Sequence, residues 1–306
     1  TPIKYDGYGR QVRDYLPYVS GSDGTYKSND LTTQSSFYNP ATAFLNKIKT
    51  DAAPWSEKVF EASPLNRVLQ QGAPGTVYQP NATTPANAKT VKFEYLANTD
   101  GTSANQEKVK IWTLTAVTLN SKTEYLLSST ASYPSNSLYV NVTKDEMNRQ
   151  VREYKDKQGK VVLKKVQEST TANIHLDNEW TLTYYIYDEF DRLRFVLQPK
   201  FIHRNTAYDG LGTNQLKKDM LDSLTFEYRY DGRGRMIYKR VPGAKQVEMV
   251  YDQWDRLVLS QDGNQRATGK WSFTKYDVLN RPIITGEITS ANNRDQMVTA
   301  VNAITN

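Results

Sequence analysis

The chain has 306 residues, a net charge of +6 and no cysteine, so a disulfide framework, a thiolate nucleophile and a cysteine metal site are excluded. Hydrophobic residues make up only 38%, but 21 tyrosines and 5 tryptophans favour sheets with an aromatic inner layer over disorder. No apolar run approaches the length of a membrane span.

The first part of the chain predicts hairpins separated by loops. A leading hairpin is expected over 1–19, followed by a loop-rich segment over 20–59 with one short helix near 31–50. A stretched hairpin is predicted at 58–71 and a polar loop at 79–90. Alternating polar and apolar positions with β-branched and aromatic residues then predict three strands. These are VKFEYLA, KVKIWTLTAV and TEYLLSST.

From residue 138 onward the sequence predicts one hairpin after another, interrupted by a helix at 213–224. Leu216, Met220 and Leu224 recur there at four-residue steps and are expected to form its buried face. A second helix is predicted at the C-terminal end, where Asn293 and Gln296 form a capping box and three apolar residues share one helical face. These apolar residues are Met297, Val301 and Ile304.

One short unit recurs seven times: Asp, two variable residues, then Gly, Asn or Asp, then Arg or Lys. The residue frequencies of the chain give an expectation of about half a copy by chance, so the repeat is real. A tyrosine directly precedes the Asp in five copies. In order, the units contain Tyr5, Asp6, Gly9 and Arg10; Asp145, Asn148 and Arg149; Asp156, Gly159 and Lys160; Tyr187, Asp188, Asp191 and Arg192; Tyr230, Asp231, Gly234 and Arg235; Tyr251, Asp252, Asp255 and Arg256; and Tyr276, Asp277, Asn280 and Arg281.

These residue types predict a hairpin that makes a type I turn followed by one residue with positive φ. The Asp side chain accepts from backbone N–H groups two residues on, and Gly, Asn and Asp best tolerate the left-handed region at the fourth position. The Asp and the basic residue then close the hairpin as a solvent-exposed pair. The Tyr and the residue after the Arg, such as Tyr187 and Leu193, are expected to pair on the core face.

An eighth copy, YDGLGT at Tyr208, has Thr213 in place of the basic residue. It is read either as a further repeat or as the loop before the helix at 213–224, and the sequence leaves both open. YDGRGRM at 230–236 is also similar to a glycine-rich phosphate loop. Strand-like residues follow it where such a loop needs a helix, so a structural turn is favoured.

The Tyr-Asp-x-x-Gly-Arg units resemble the YD repeats of rearrangement hot spot (RHS) proteins and of related toxin and teneurin shells. The resemblance covers about 140–306 and YDGYGRQVRDYLPY at 5–18. The segment FEASPLNRVLQQGAPG at 60–75 resembles the module near the start of bacterial RHS proteins, with Phe60 and Glu61 in place of Tyr-Asp. Lys144 replaces the Tyr of one unit, and no self-cleaving core or toxin segment is recognisable.

The resemblance implies an all-β fold of successive antiparallel hairpins that form a curved sheet or partial β-shell, with one or two short helices. The expected divisions are 1–79, a leading hairpin with a non-repetitive module; 80–140, connecting strands; and 141–306, the hairpin array with its terminal helix. The resemblance also implies a secreted or cell-surface structural segment without enzymatic activity or cofactors. Its partners would be neighbouring repeats of a longer chain and an enclosed toxin or effector domain.

Several residues are candidates for chemistry or binding. Glu179 and Asp188 flank an aromatic strand and are considered as a carboxylate pair of a glycoside hydrolase, against the alternative of a plain core strand. Trp254 and Trp180 are considered as glycan contacts of an adhesin-like module. His175 and His203 lack a metal-ligand spacing, and NTDGTSANQE at 98–107 lacks the spacing of an EF-hand calcium loop.

The net positive charge raises the question of nucleic-acid binding. Seven of the basic residues belong to the repeated turns, and each lies beside an aspartate. The densest group, KDKQGKVVLKK at 155–165, is interpreted as alternating lysines on a solvated hairpin face, with contact to an anionic surface as the alternative. We therefore expect no nucleic-acid partner.

Overall fold

The structure is a computed structural model and describes residues 1–19, 28–38, 50–80, 88–101, 107–169 and 179–304. Strands dominate these residues, as the composition predicts. The strands are β1 (Arg13–Tyr15), β2 (Trp55–Phe60), β3 (Val68–Gly72), β4 (Val91–Ala97), β5 (Lys110–Leu119), β6 (Lys122–Ser132), β7 (Tyr139–Lys144), β8 (Gln150–Lys155), β9 (Val161–Gln167), β10 (Trp180–Tyr187), β11 (Leu193–Leu197), β12 (Thr225–Tyr230), β13 (Met236–Arg240), β14 (Val247–Tyr251), β15 (Leu257–Gln261), β16 (Lys270–Tyr276) and β17 (Pro282–Thr289).

Short helices connect some of the strands, and the described residues contain more of them than the one or two expected. The two helices predicted for the second half of the chain are present, with Thr213 as the N-cap of one and the Asn293–Gln296 capping box at the other. The helices are α1 (Asp30–Phe37), α2 (Pro199–His203), α3 (Asn205–Asp209), α4 (Asn214–Leu224), α5 (Gly263–Ala267) and α6 (Arg294–Asn302).

The all-β fold class is confirmed. Fifteen strands share one sheet in the order β1-β2-β3-β4-β7-β8-β9-β10-β11-β12-β13-β14-β15-β16-β17, and β5 and β6 form a separate two-stranded sheet. Successive strands are neighbours almost throughout, which is the order that consecutive hairpins produce. The two edges of the larger sheet are therefore β1 and β17.

The chain divides into two compact units that alternate along the sequence. The first comprises 1–99, 135–160 and 165–174, and the second comprises 100–134, 161–164 and 175–306. The division at 1–79, 80–140 and 141–306 stays a prediction.

In the first unit, the leading hairpin over 1–19 is reduced to its turn. Asp6 N–H donates to the Arg10 carbonyl at 2.9 Å, but β1 pairs with β2 and not with the residues before the turn. The buried side chains of this unit include Val140 of β7 and Tyr154 of β8, which are cross-strand partners.

The second unit has an aromatic core at the hairpin of β5 and β6. Trp112 of β5 contacts Tyr184 and Phe201, with ring centroids 5.9 and 6.0 Å apart, and Phe201 contacts Tyr208 at 5.2 Å. The Tyr208 hydroxyl accepts from the backbone N–H of Leu127 at 3.0 Å. These contacts hold the β5–β6 hairpin against β10 and the helices that follow β11.

Tyr208 also decides between the two interpretations of the eighth copy. Tyr208 and Asp209 belong to the short helix α3, Tyr208 is fully buried, and Gly212, the fourth residue of this unit, does not have a positive φ. A hairpin turn with a left-handed fourth residue is therefore absent from 208–212, and this segment leads into α4 instead.

The buried face of α4 differs from the predicted one. Leu216 is half exposed, whereas Lys218 and Leu221 are buried. The four-residue spacing of the apolar residues was misleading because the helix directs a lysine inward, toward acidic groups described below. At α6, Met297 is buried as predicted, but Ile304 is 66% exposed.

The lysine-rich segment at 155–165 does not form a uniformly solvated face. Lys157 is exposed, but Lys165 is only 2% exposed. The alternation of lysines therefore does not coincide with one exposed side of this hairpin.

Candidate functional site: the repeated turns and a groove beside Trp254

The seven repeated units form turns of one geometry. At Asp231, the N–H of Asp231 donates to the Arg235 carbonyl at 3.0 Å, and the N–H of Gly234 donates to the Asp231 carbonyl at 3.0 Å. The fourth position has positive φ in all seven turns, as predicted for a type I turn followed by a left-handed residue. The values are 74° at Gly9, 62° at Asn148, 84° at Gly159, 64° at Asp191, 79° at Gly234, 63° at Asp255 and 61° at Asn280.

The Asp side chain accepts hydrogen bonds from the backbone and from the basic side chain of its own turn. In the Asp231 turn, Oδ1 accepts from the N–H groups of Arg233 and Arg235, both at 3.0 Å, while Oδ2 accepts from Arg235 Nε at 2.7 Å. Burial opposes ionisation of Asp231, but the hydrogen bonds from Arg235 and from the backbone outweigh it and hold the pKa below its usual range. The carboxylate is therefore part of the turn and not only a surface charge.

The Tyr and the residue after the Arg are cross-strand partners, as predicted, but they do not lie on the core face. Tyr187 pairs with Leu193 and both are half-buried, whereas Ile186 pairs with Phe195 and both are buried. Adjacent strand residues point to opposite faces, so the core face is that of Ile186. A β-bulge at Arg194, where two residues oppose one, changes the register between these pairs.

The same register shift recurs in the hairpins of β12–β13, β14–β15 and β16–β17 of the second unit and in β2–β3 of the first. The motif itself gives no signal for this bulge. Sequence reasoning therefore placed the tyrosines on the wrong face.

The tyrosine hydroxyls connect each hairpin to the one before it. The hydroxyl of Tyr230 donates to the carbonyl of Leu193, the residue that follows the Arg of the preceding turn. This relationship recurs with regular distances. In the second unit, the pairs are Tyr187 with Val161 at 3.0 Å, Tyr230 with Leu193 at 3.0 Å, Tyr251 with Met236 at 2.8 Å and Tyr276 with Leu257 at 3.0 Å.

The arginines make the complementary contact in the forward direction. The guanidinium of each of three arginines, Arg192, Arg235 and Arg256, lies over the Tyr ring of the next turn and donates Nη1 to the carbonyl of the next Asp. For Arg235, the ring of Tyr251 is 4.9 Å away and the carbonyl of Asp252 is 3.0 Å away. The corresponding pairs are Arg192 with Tyr230 at 5.0 Å and Asp231 at 3.2 Å, and Arg256 with Tyr276 at 5.3 Å and Asp277 at 3.4 Å.

We call the turns at Asp188, Asp231, Asp252 and Asp277, with their tyrosines, the turn ladder. The Asp–Arg pairs of the ladder were expected to be solvent-exposed. Instead, the side chains of Arg235 and Asp231 are only 22% and 18% exposed, because Arg235 also binds the next turn. The ladder is thus a set of interlocked contacts between successive hairpins.

The first unit uses the same contacts with different residues. Arg10 lies 4.7 Å from the Phe60 ring and donates to the Asn66 side chain at 3.0 Å, in the stretched turn that Glu61 and Arg67 close. Asn66 has a φ of 53°, like the fourth residue of the shorter turns.

Tyr95 of β4 is a functional residue that the motif missed. Its hydroxyl donates to the carbonyl of Val68 at 3.1 Å, and its ring lies 4.5 Å from the Arg67 guanidinium. Tyr95 therefore has the ladder role of a repeat tyrosine, although Leu96 follows it and no Asp is present.

The turn at Asp145 differs from the others in its place. It joins β7 to β8, and the turn at Asp156 ends β8, so the two turns lie at opposite ends of one strand. Lys92 Nζ donates to the Asn148 side chain of the Asp145 turn at 2.8 Å. Membership in the sequence repeat therefore does not imply membership in the ladder.

A groove in the second unit lies beside the last turns and α6. It has a volume of about 660 Å³ and a mainly apolar lining. Trp254, Phe273, Tyr276, Val301 and Ile304 are among its lining residues.

Trp254 has a structural reason to occupy a variable turn position. The Arg256 guanidinium lies 4.7 Å from its ring, while Arg192 lies 4.9 Å from Phe190 and Arg10 lies 4.9 Å from Tyr8. These three aromatic residues hold the same position in their turns. A large aromatic residue there is therefore a recurring partner of the turn arginine, and Trp254 remains 49% exposed in addition.

The other candidate glycan contact is excluded by burial. Trp180 is 1% exposed and belongs to the inward-facing residues of β10. Its indole has no surface on which a sugar could stack.

The candidate hydrolase pair is also excluded. Glu179 precedes β10 and Asp188 follows it, so the eight residues of this extended strand separate the two by about 30 Å. Paired glycosidase carboxylates are about 5–10 Å apart. In addition, Asp188 is occupied by Arg192 Nε at 2.8 Å.

Within the described part of the chain, the remaining candidates form no metal-site geometry. The described residues contain no group of three His, Asp or Glu side chains that could hold a metal ion. His203 is exposed at the end of α2, and His175 and residues 102–106 of the proposed calcium loop lie outside the described residues.

The second unit contains a buried charge cluster that the sequence did not reveal. Glu227 of β12 is completely buried and accepts from Arg229 Nε at 2.7 Å and from Lys218 Nζ at 3.0 Å, and Arg240 Nη2 lies 2.7 Å from it. Asp222 and Glu124 complete the cluster, which has three positive and three negative groups.

The charge balance of this cluster explains how it is tolerated. Burial raises the pKa of Glu227, but Arg229, Lys218 and Arg240 outweigh it, so the net direction is downward. At Asp222, burial dominates and the pKa is raised, in spite of Arg240 and Lys218. The cluster joins α4 to β12, β13 and β6, and so it fixes a helix to the sheet.

The first third of the chain matches a protein family of unknown function. A family described as "Domain of unknown function (DUF6443)" matches residues 1–93. No curated protein matches the chain significantly.

Three solved structures similar to the chain come from Tc toxin proteins, and at 14% identity this similarity shows the fold alone. A structure described as "Crystal Structure of TcdB2-TccC3-TEV" has a TM-score of 0.54, 14% identity and 95% coverage of this chain. TcdB2-TccC3 without its hypervariable C-terminal region and the Tc holotoxin pore of Photorhabdus luminescens each have a TM-score of 0.52 at 14% identity, over 94% and 95% of this chain. This chain covers 10% of each of those chains.

The helices of the described residues offer no membrane span, because none is both long and apolar enough.

Proposed function

We propose that this chain is a structural, non-enzymatic segment of a secreted or surface-exposed YD-repeat shell of the RHS type, which encloses or displays a toxin or other effector domain. The observation that carries the proposal is the turn ladder, in which the Arg of one turn binds the next turn and the Tyr of that next turn binds the hairpin before it. The YD-repeat assignment is itself part of the proposal, and it is supported by the seven turns of one geometry.

The similarity to TcdB2-TccC3 supports the same proposal at the level of fold. The polar side chains of the turns are used in contacts between hairpins. This use favours a structural role for the segment over a catalytic one. The proposed partners are neighbouring repeats of a longer chain and an enclosed effector. Neither a cofactor nor a nucleic acid enters the proposal.

The proposal is tested on the protein recovered under native conditions from its source through a tag. Cryo-electron microscopy together with mass spectrometry of the purified particles is expected to show a β-sheet wall around a second polypeptide or domain. A compact particle with a solid core and no accompanying effector sequence would contradict the proposal.

The groove beside Trp254 favours a second candidate, a carbohydrate- or surface-binding module. An exposed indole next to an arginine offers a stacking face and hydrogen-bond donors, which are the elements of sugar recognition. The mainly apolar lining of the groove makes this the weaker of the two proposals.

A glycan array with three proteins tests this candidate: the wild type, Trp254→Ala and Phe190→Ala. Phe190 is the matched control, because it has the same turn position and the same arginine contact. Saturable binding that is lost only in Trp254→Ala would favour the binding module. Absence of binding, or equal loss in both variants, would reject it.

A further inference from the structure

Two stretches of the chain interrupt the run of paired strands in the larger sheet. The β5–β6 hairpin comes between β4 and β7, yet these two strands pair directly, with Ala97 opposite Tyr139. Helices α2–α4 come between β11 and β12, which also pair directly, with Leu197 opposite Thr225. Both stretches are therefore insertions between neighbouring strands, and neither contributes a strand to the larger sheet.

The two insertions contact each other, although about 80 residues separate them in the sequence. Trp112 of β5 packs against Phe201 of α2, with ring centroids 6.0 Å apart. The Tyr208 hydroxyl of α3 accepts from the backbone N–H of Leu127 of β6 at 3.0 Å. A backbone donor of the hairpin is thus satisfied by a side chain of the other insertion, and not by a strand.

Each insertion is too small to be stable alone. Helices α2 and α3 have five residues each and α4 has eleven, lengths at which isolated helices are marginal in water. A two-stranded hairpin by itself is likewise only marginally stable. Because each insertion is buried by side chains of the other, we call the β5–β6 hairpin and α2–α4 together the insertion module.

The insertion module lies on the core face of β10 and β11. Trp112 contacts Tyr184 of β10, with ring centroids 5.9 Å apart. The ring of Tyr125 of β6 lies 4.5 Å from the guanidinium of Arg194 of β11. Both contacts are made by the hairpin, so the module is fixed to these strands through side chains alone.

The contact of the module with β12 and β13 is the buried charge cluster. The members on the module are Lys218, Asp222 and Glu124, and those on the strands are Glu227, Arg229 and Arg240. One lysine with two carboxylates makes the module side net negative, and two arginines with one carboxylate make the strand side net positive. The two sides are therefore complementary in charge.

A charged contact of this kind separates more readily than an apolar contact of the same size. Buried ion pairs lose their hydration, and apolar residues in their place are often neutral or stabilising. When the module separates from the strands, water solvates its three charged groups. Glu227 still has Arg240 opposite it on β13 and Arg229 two residues along its own strand. Separation therefore leaves the pairing of β12 with β13 intact.

We propose that the insertion module opens and closes over β10–β13 as one cooperative unit, while the strands beneath it remain paired. Partial openings of this kind are a general property of folded proteins. Opening separates Trp112 from Tyr184 and Lys218 from Glu227, and it exposes the core face of four strands. The inference rests on contacts inside the second unit and is independent of the proposed shell function.

Native-state hydrogen exchange tests the proposal on the 306-residue protein, with mass spectrometry at a series of urea concentrations below the unfolding transition. Peptides from β5, β6 and α4 should exchange through one opening with a common free energy. This free energy should be lower than that of β14 and β15 in the same unit. Separate openings of the hairpin and α4 would overturn the proposal, and so would exchange of the module only together with β14 and β15.

Two substitutions, one in each insertion, test whether the insertions open together. Tyr208→Phe removes the acceptor of the Leu127 N–H and should speed exchange about tenfold in α4 as well as in β5 and β6. Glu124→Gln removes a charge partner of Lys218 and should speed exchange in the same elements. The matched control Tyr251→Phe removes a ladder hydroxyl and should leave exchange of the module unchanged.

The distribution of the faster exchange decides the outcome of these variants. An effect confined to the insertion that carries the substitution would overturn the proposal, because the two insertions would then open independently. Equal acceleration in β14 and β15 would also overturn it, because the module would then open only with the whole unit.

Discussion

The hydroxyl of Tyr251 donates to the backbone carbonyl of Met236 at 2.8 Å, across the boundary between two hairpins. Met236 follows Arg235, whose guanidinium lies on the ring of the same tyrosine. One tyrosine therefore satisfies a carbonyl of the preceding hairpin and provides the surface on which its arginine packs. The recurrence of this relationship makes the hairpins interdependent, although each turn is closed by local residues.

Arginines that bind the next turn should contribute more to stability than Arg281, whose side chain is 70% exposed. Arg235→Ala removes hydrogen bonds to Asp231, Asp252 and Asp255 together with the ring contact, and is expected to cost about 1.5–3 kcal/mol. Arg281→Ala removes only an exposed local pair and should cost less than about 1 kcal/mol. Urea unfolding at low protein concentration compares the two, and equal costs would contradict the forward contact.

The positive φ at the fourth turn position should restrict the residues that are tolerated there. Gly234 has a φ of 79°, so Gly234→Val is expected to cost about 1–2 kcal/mol from backbone strain. Its added Cβ would meet only the tip of the Arg192 side chain, at 4.0 Å, so a steric clash makes little contribution. Lys239→Val, at an exposed strand position, should be nearly neutral. Thermal shifts of equal size would argue against the turn assignment.

The buried charge cluster should be sensitive to the loss of a single member. Glu227→Ala would leave Lys218, Arg229 and Arg240 without their common partner, and a cost of about 3–5 kcal/mol is expected. The half-exposed pair of Glu287 and Lys270 serves as the control, and Glu287→Ala should change the free energy of unfolding little. Comparable unfolding midpoints for the two variants would show that the cluster is not a fixed part of the core.

Acid should destabilise the stretched turn of the first unit. Hydrogen bonds from Arg67 lower the pKa of Glu61 from 4.5 to about 2. Between pH 4.5 and about 2, Glu61 binds more protons in the unfolded chain than in the folded one. The stabilisation from ionised Glu61 is therefore complete above pH 4.5 and is lost as the pH falls toward 2. Glu61→Gln should therefore lose less of its unfolding free energy than the wild type between pH 4.5 and 2. Parallel urea midpoints across this range would contradict the prediction.

Local features of the fold could be read from the sequence, because neighbouring residues determine them. The turn at Asp188 needs only the Asp acceptor and a left-handed Asp191, and both are within five residues. The capping box of Asn293 and Gln296 is local in the same sense. The overall class then follows, since hairpin after hairpin leaves little alternative to an antiparallel sheet.

Features that depend on distant partners could not be predicted. The face of Tyr187 was misassigned because the bulge at Arg194 is set by strand pairing, not by the motif. Tyr95 has the ladder contacts but was missed, because Leu96 and not an Asp follows it and only strand pairing brings it to Arg67. Lys218 looked like a surface residue of α4, because Glu227 lies on the following strand and nothing in the sequence spacing marks the pair.

The measurement that tests the interlocked ladder most directly is a double-mutant cycle between Arg235 and Tyr251. Unfolding free energies of the wild type, Arg235→Ala, Tyr251→Leu and the double variant give the coupling across the hairpin boundary. Since the two side chains share one contact, we expect a coupling of about 1 kcal/mol or more. A cycle between Arg281 and Tyr251, which make no contact in the structure, should be additive within about 0.5 kcal/mol. Additivity in the cycle of Arg235 and Tyr251 would contradict the account. The contact between these side chains would then contribute nothing to the stability of the paired hairpins.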